Sequence, residues 1–151
     1  MLDKEDECSF CRERLIATTS EKWRASSGEL VAVPKSESLY IFASTSRGEI
    51  CLCEKCYKKG IFGDLNQHEL AEVHYQFGLE YREVGRMSDS VDALHRGLRC
   101  KQTSDMLAAI AISYGELGEH TLEQEFYRQA LALDPSHFVA SENLKNATGE
   151  M

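Results

Sequence analysis

Two Cys-x-x-Cys pairs, Cys8-Ser-Phe-Cys11 and Cys53-Glu-Lys-Cys56, bracket the first third of this chain. Two cysteines at this spacing let one tight turn grip a metal ion, and two such turns complete a tetrahedral sphere of four sulfurs. A complete sphere leaves no position for water or substrate. The pattern therefore predicts a structural Zn2+ held by Cys8, Cys11, Cys53 and Cys56, and argues against zinc catalysis. Forty-one residues separate Cys11 from Cys53, more than the roughly 15–20 of the common zinc pattern. The extra length must form its own strands, and residues 29–46 read as an inserted hairpin. Cys51 lies two residues before Cys53, so a strand would point both to one face. It reads as a buried strand residue, with replacement of a ligand or a share in a second metal left open. Cys100 stands alone near a helix end and reads as packing.

The remaining composition narrows the class. With 151 residues and 42% apolar content, the chain can build one ordinary domain or two small ones. Its acidic start, Met-Leu-Asp-Lys-Glu-Asp-Glu, is unlike a secretory signal. The longest apolar run, Leu39 to Ala43, is far too short to span a bilayer. A cytoplasmic location is expected, where thiols stay reduced and paired cysteines favour metal over disulfides. The net charge of −8 lies wholly in the second half: residues 1–63 carry ten acidic and ten basic side chains, residues 64–151 fifteen and seven. Neither half offers the positive face that phosphate backbones require. Only the small patch Lys55, Lys58 and Lys59 points toward nucleic acid.

Local patterns divide the chain near Gly63-Asp64. Before it, short runs rich in β-branched and aromatic residues predict strands at Leu15–Thr18, Leu30–Val33, Leu39–Phe42 and Glu49–Leu52. A short helix then starts at Glu54 and stops at Gly60. From Asn66 on the pattern is helical throughout. Asn66 with Glu69 has capping-box spacing, as does Thr121 with Gln124. Ser88, Thr103 or Ser104, and Ser136 are the other expected starts. The helices also repeat: Phe77-Gly78, Tyr81, Val84-Gly85 and Leu94 recur as Ile110-Ala111, Tyr114, Leu117-Gly118 and Tyr127, each 33 residues later. A fixed period of this length predicts stacked helix pairs. Small residues at Gly78, Ala111, Gly97 and Ala130 would allow close approach, and glycine would fit each tight turn. The fold class is therefore α+β: a small zinc-stabilised β-rich module over residues 5–62, then an all-α helical-repeat array over 66–149.

The helical half resembles the tetratricopeptide repeat over residues 68–147, as two repeats and a capping helix. The second repeat ends well, in Leu133-Asp134-Pro135, whereas the first lacks the proline. His74 and Leu107 stand where that family usually has a large aromatic residue. The resemblance implies a concave peptide-binding groove showing Glu72, Tyr75, Leu79, Arg82, Glu83, Asp105, Ala108, Ile112 and Glu116. This mixed apolar and acidic surface suits a basic or amphipathic partner segment. The first half resembles the four-cysteine zinc finger at the N-terminus of the ClpX unfoldase. Cys8-Ser-Phe-Cys11 and the run Ile50-Cys51-Leu52-Cys53-Glu54-Lys55-Cys56 carry that likeness, which implies the same four zinc ligands and a role in dimerisation or adaptor docking. The phosphate loop of an ATPase is missing. The five histidines form no His-Glu-x-x-His motif and read as surface or groove residues. A non-enzymatic protein-binding adaptor is the expected function. A zinc-ribbon nucleic-acid binder and a thiol redox sensor that releases zinc are the alternatives.

Overall fold

The computed structural model describes residues 8–11, 22–24, 30–32 and 39–149. The chain divides into two compact units, residues 1–65 and 66–151. In the first, β1 (Lys22–Arg24) pairs antiparallel with β2 (Leu30–Ala32), and β3 (Tyr40–Thr45) with β4 (Gly48–Cys53). The expected hairpin over 29–46 is thus corrected. Leu30–Ala32 pairs backward with Lys22–Arg24, and Tyr40–Thr45 pairs forward with the strand that leads into Cys53. The expected strand at Leu15–Thr18 lies outside the described residues.

The β3–β4 turn is set by its own residues. Gly48 adopts a φ of 108°, which an L side chain resists. The Thr45 hydroxyl donates to the Gly48 carbonyl at 2.7 Å and accepts from the Arg47 N–H at 3.2 Å. Strand alternation then sorts the faces. Leu39, Ile41 and Ala43 are buried, and Leu52 opposite Ile41 is fully so. Cys51 and Cys53 fall on the other face, opposite Phe42 and Tyr40. Helix α1 (Glu54–Lys59) follows directly and stops at Gly60, whose left-handed backbone places its N–H on the Tyr57 carbonyl.

The second unit is a run of antiparallel neighbours: α2 (Gln67–Glu83), α3 (Met87–Cys100), α4 (Ser104–Glu116), α5 (His120–Leu133) and α6 (Phe138–Thr148). Asn66 and Glu69 form a complete capping box, at 2.8 and 3.0 Å. Thr103 caps α4 through the Met106 N–H. The expected caps at Ser88 and Thr121 are not used. Instead the tight turns at Gly85 and Gly118 hand the chain straight on: Arg86 and Glu119 donate back to the carbonyls of Tyr81 and Tyr114, then serve as caps themselves. Arg86 and Glu119 are 33 residues apart, so the repeated turn starts both helices in the same way. At α6 the cap is the His137 ring, which accepts from the Ala140 N–H at 3.1 Å. Ser136 is instead bound back to the Asp134 carboxylate.

Close packing explains the small residues of the repeat. A Cβ on Gly78 would lie 2.5 Å from Leu94 Cγ, and one on Gly97 would lie 2.8 Å from Met106 Sδ. One core cluster gathers Ala71, Leu94, Met106, Ala109 and Ile110; a second gathers Leu107, Ala108, Ala111, Tyr127, Ala130 and Ala140. Ser90 and Ser113, both fully buried, bond to each other at 3.0 Å, and Ser90 also donates to the Gly78 carbonyl at 2.7 Å. Buried hydroxyls satisfied in this way fix the register of neighbouring helices.

His74 departs from the surface placement expected of the histidines, being only 7% exposed. It lies on α2 beside Gly97, where a side chain would come within 3.2 Å of the His74 Cβ. Burial, aided by the charge of Arg96 and opposed by that of Asp92, pushes its pKa down from 6.5 to about 4. Above pH 6.5 the ring is neutral in both folded and unfolded chains. Below that value the unfolded chain takes up a proton that the folded one resists. The helical unit should therefore lose stability as pH falls from 6.5 toward 4, by on the order of 2 kcal/mol. Thermal melts across this range should show the loss, and His74→Gln should flatten it. An unchanged slope in that variant would remove His74 as its source.

Candidate functional site

The first knuckle, Cys8–Cys11, is clipped to β4 from both sides of Ser9. The Ser9 N–H donates to the Cys51 carbonyl at 2.8 Å, and the Cys51 N–H donates to the Ser9 hydroxyl at 2.9 Å. The second knuckle is the passage from β4 into α1, anchored where the Glu54 N–H meets the Leu39 carbonyl at 2.7 Å. These contacts bring Cys8, Cys11, Cys53 and Cys56 together, with their sulfurs all within 4.8 Å of one another. Cys8 and Cys56 approach to 3.7 Å, and Cys11 and Cys53 to 3.6 Å. A disulfide would need about 2.05 Å. A tetrahedron with metal–sulfur bonds of about 2.3 Å has edges of about 3.8 Å, so the two close approaches fit ligands of one ion. Cys51 stays outside this group of four and is buried in its strand.

The electrostatics of the site also fit a cation. Burial pushes the Cys8 thiol up, but backbone bonds from Cys11, Phe10 and Cys53 outweigh it and hold the group at about 7. Cys53 is pushed up by burial, with added pressure from the Cys8 and Cys11 sulfurs. Cys56 is pushed up by burial and by all three neighbouring sulfurs. One thiolate is easily carried at Cys8, while Cys53 and Cys56 resist ionising. A soft divalent ion supplies the missing positive charge and reverses that resistance.

On the helical unit, the groove residues expected from the repeat pattern fall in different settings. Glu72, Glu83, Asp105 and Glu116 are exposed, while Tyr75, Leu79, Arg82 and Ile112 are half-buried. Ala108 is a correction: it is 3% exposed and packs with Tyr127 and Ala140 in the core beneath α6. Its small side chain lets that helix close over it. Asp105 also holds the cap of α6: its carboxylate accepts from the His137 Nε2–H at 2.7 Å, while the other ring nitrogen accepts from Ala140. Ile112 and Glu116 line a cleft of about 600 Å³ whose other walls include His120, Glu123, Tyr127, Asn143 and Asn146. The repeat pattern alone did not single out these wall residues. Arg82 carries a buried guanidinium nitrogen, Nη1, with no hydrogen-bond acceptor among the described residues. Of the basic patch, Lys58 is drawn to Glu54 at 3.3 Å, one helical turn away. No helix among the described residues is long and apolar enough to cross a membrane.

No family model matches the chain, and no curated protein matches it significantly. Among solved structures, the crystal structure of the APC/C hetero-tetramer Cut9–Hcn1 is similar over 56% of this chain, with a TM-score of 0.54 and 27% sequence identity. The matched region spans only 16% of the neighbour's chain. That neighbour is a subunit with tetratricopeptide repeats, and what this chain shares with it is a mostly helical, helical-repeat architecture. This chain also carries a four-cysteine cluster at metal-binding distance.

Proposed function

We propose that this protein is a non-enzymatic interaction adaptor: a module over residues 5–62 pinned by Zn2+ on Cys8, Cys11, Cys53 and Cys56, followed by two repeats and a capping helix over 66–149 that receive a peptide. The observation that carries the binding half is Arg82. A buried guanidinium N–H without an acceptor costs about 1–3 kcal/mol or more, and since Arg82 as a whole is only half-buried, a rotation of its side chain onto a partner's carbonyl or carboxylate oxygen would relieve it. The other groove residues expected from the repeat pattern include the exposed Glu72, Glu83 and Glu116 and the half-buried Tyr75, Leu79 and Ile112. That mixture favours an extended basic or amphipathic segment whose backbone supplies the oxygen. The likeness to a helical-repeat subunit supports a protein partner, and the paired thiols, read as metal ligands, suit a reducing compartment such as the cytoplasm. The resemblance to the ClpX-type finger extends the proposal to dimerisation through the zinc module.

The test compares quantitative pull-downs with wild-type protein, Arg82→Ala and Tyr75→Ala, then measures affinities for the partner recovered. Each variant should lose that partner by about tenfold or more, while circular dichroism stays unchanged. Retention of every partner by both variants would refute the groove assignment.

A further inference from the structure

We propose that Cys11 is a site of oxidative modification, and that peroxide converts the cluster first into a Cys11–Cys53 disulfide across the two knuckles. This rests on the reading above that the four thiols are ligands of one ion, and it adds the route by which the ion leaves. The cluster is lopsided. Cys8, Cys53 and Cys56 are 0%, 4% and 1% exposed, whereas Cys11 is exposed to solvent. An oxidant must reach a sulfur in line with the bond it breaks, so attack falls on the open vertex. Cys53, on the opposite knuckle, stands 3.6 Å from it and is placed to act as the resolving sulfur.

The steps balance with a hydroperoxide as the named oxidant. The Cys11 sulfur attacks one peroxide oxygen, the O–O bond breaks, and a sulfenic acid and one water form. The Cys53 thiolate then attacks the Cys11 sulfur. The S–S bond forms, the S–O bond breaks, and the departing hydroxide takes a proton to become a second water. Two thiols lose two electrons and one peroxide gains them. The sulfurs need only close from 3.6 Å to about 2.05 Å. Two ligands are thereby removed and the ion is set free. Cys8 and Cys56, still 3.7 Å apart, are placed to form a second bridge of the same kind.

The experiment treats full-length protein with hydrogen peroxide at low excess, quenches with an alkylating reagent, and maps disulfides by peptide mass spectrometry while a zinc-sensitive dye records ion release. The first bridge should join Cys11 to Cys53, with Cys8 and Cys56 still alkylated and release in step with it. Cys51→Ser should leave the rate unchanged, while Cys11→Ser should slow it by about tenfold or more. A first bridge between Cys8 and Cys11, between Cys53 and Cys56, or to Cys51 would overturn the proposal. So would a zinc-loaded protein that stays reduced, an outcome that leaves the metal reading standing. A protein isolated without metal that still forms the Cys11–Cys53 bridge would instead sink the metal reading, and with it the ion-release half of the proposal, while bearing out the order of oxidation.

Discussion

Cys56→Ser should yield protein without stoichiometric zinc, in which the β3–β4 hairpin and α1 are no longer protected. Cys56 is 1% exposed on α1, next to the buried Tyr57, and among the described residues no further ligand joins the group of four to take its place. Structural zinc contributes about 10–16 kcal/mol of apparent binding free energy in small modules. Among the described residues of this unit the buried apolar side chains besides the cysteines are few: Leu39, Ile41, Ala43, Leu52 and Tyr57. Such a core cannot replace the ion. Limited proteolysis should cut the variant within residues 39–60 at rates at least about tenfold above wild type, and excess chelator should do the same to wild-type protein. The helical signal should persist in both. A variant that keeps full zinc and full protection would show that Cys56 is not a ligand.

Phe77→Ala should destabilise the helical unit by about 3–5 kcal/mol. Phe77 is fully buried on α2 and its ring lies 6.0 Å from that of Tyr81, itself 2% exposed. The neighbouring Gly78 already brings α3 to contact distance, so the helices cannot collapse further into the space vacated. Urea unfolding followed by circular dichroism reads the loss, while zinc content should remain at wild-type level. A change below about 1 kcal/mol would mean that the packing of α2 against its neighbours is looser than described. Together the two variants separate what the ion stabilises from what apolar burial stabilises.

Much of this was legible in the sequence because the responsible physics is local. Ligand spacing is dictated by the size of a metal sphere, so the two knuckles announce themselves. The 33-residue recurrence of Gly78 as Ala111, and of Gly97 as Ala130, marks where helices touch. What was not legible depends on contacts between distant segments. Lys22–Arg24 is only three residues long and shows its strand character through pairing with Leu30–Ala32. Ser88 and Thr121 look like caps, yet the backbone bonds of the Gly85 and Gly118 turns start the helices earlier. The burial of Ala108 and the placing of Asn143 and Asn146 on a cleft both follow from how α6 lies against α4 and α5. No pattern within α6 itself encodes that. Cys11 and Cys53 have equal standing as motif members, and only the folded geometry distinguishes the open vertex from the closed one.

X-ray absorption at the zinc edge, on full-length protein purified without added metal, bears most directly on the organisation of the first unit. One zinc per chain with four sulfur neighbours at about 2.3 Å is the result the convergence of Cys8, Cys11, Cys53 and Cys56 predicts. Absence of zinc, or a shell containing nitrogen or oxygen in place of a sulfur, would contradict it.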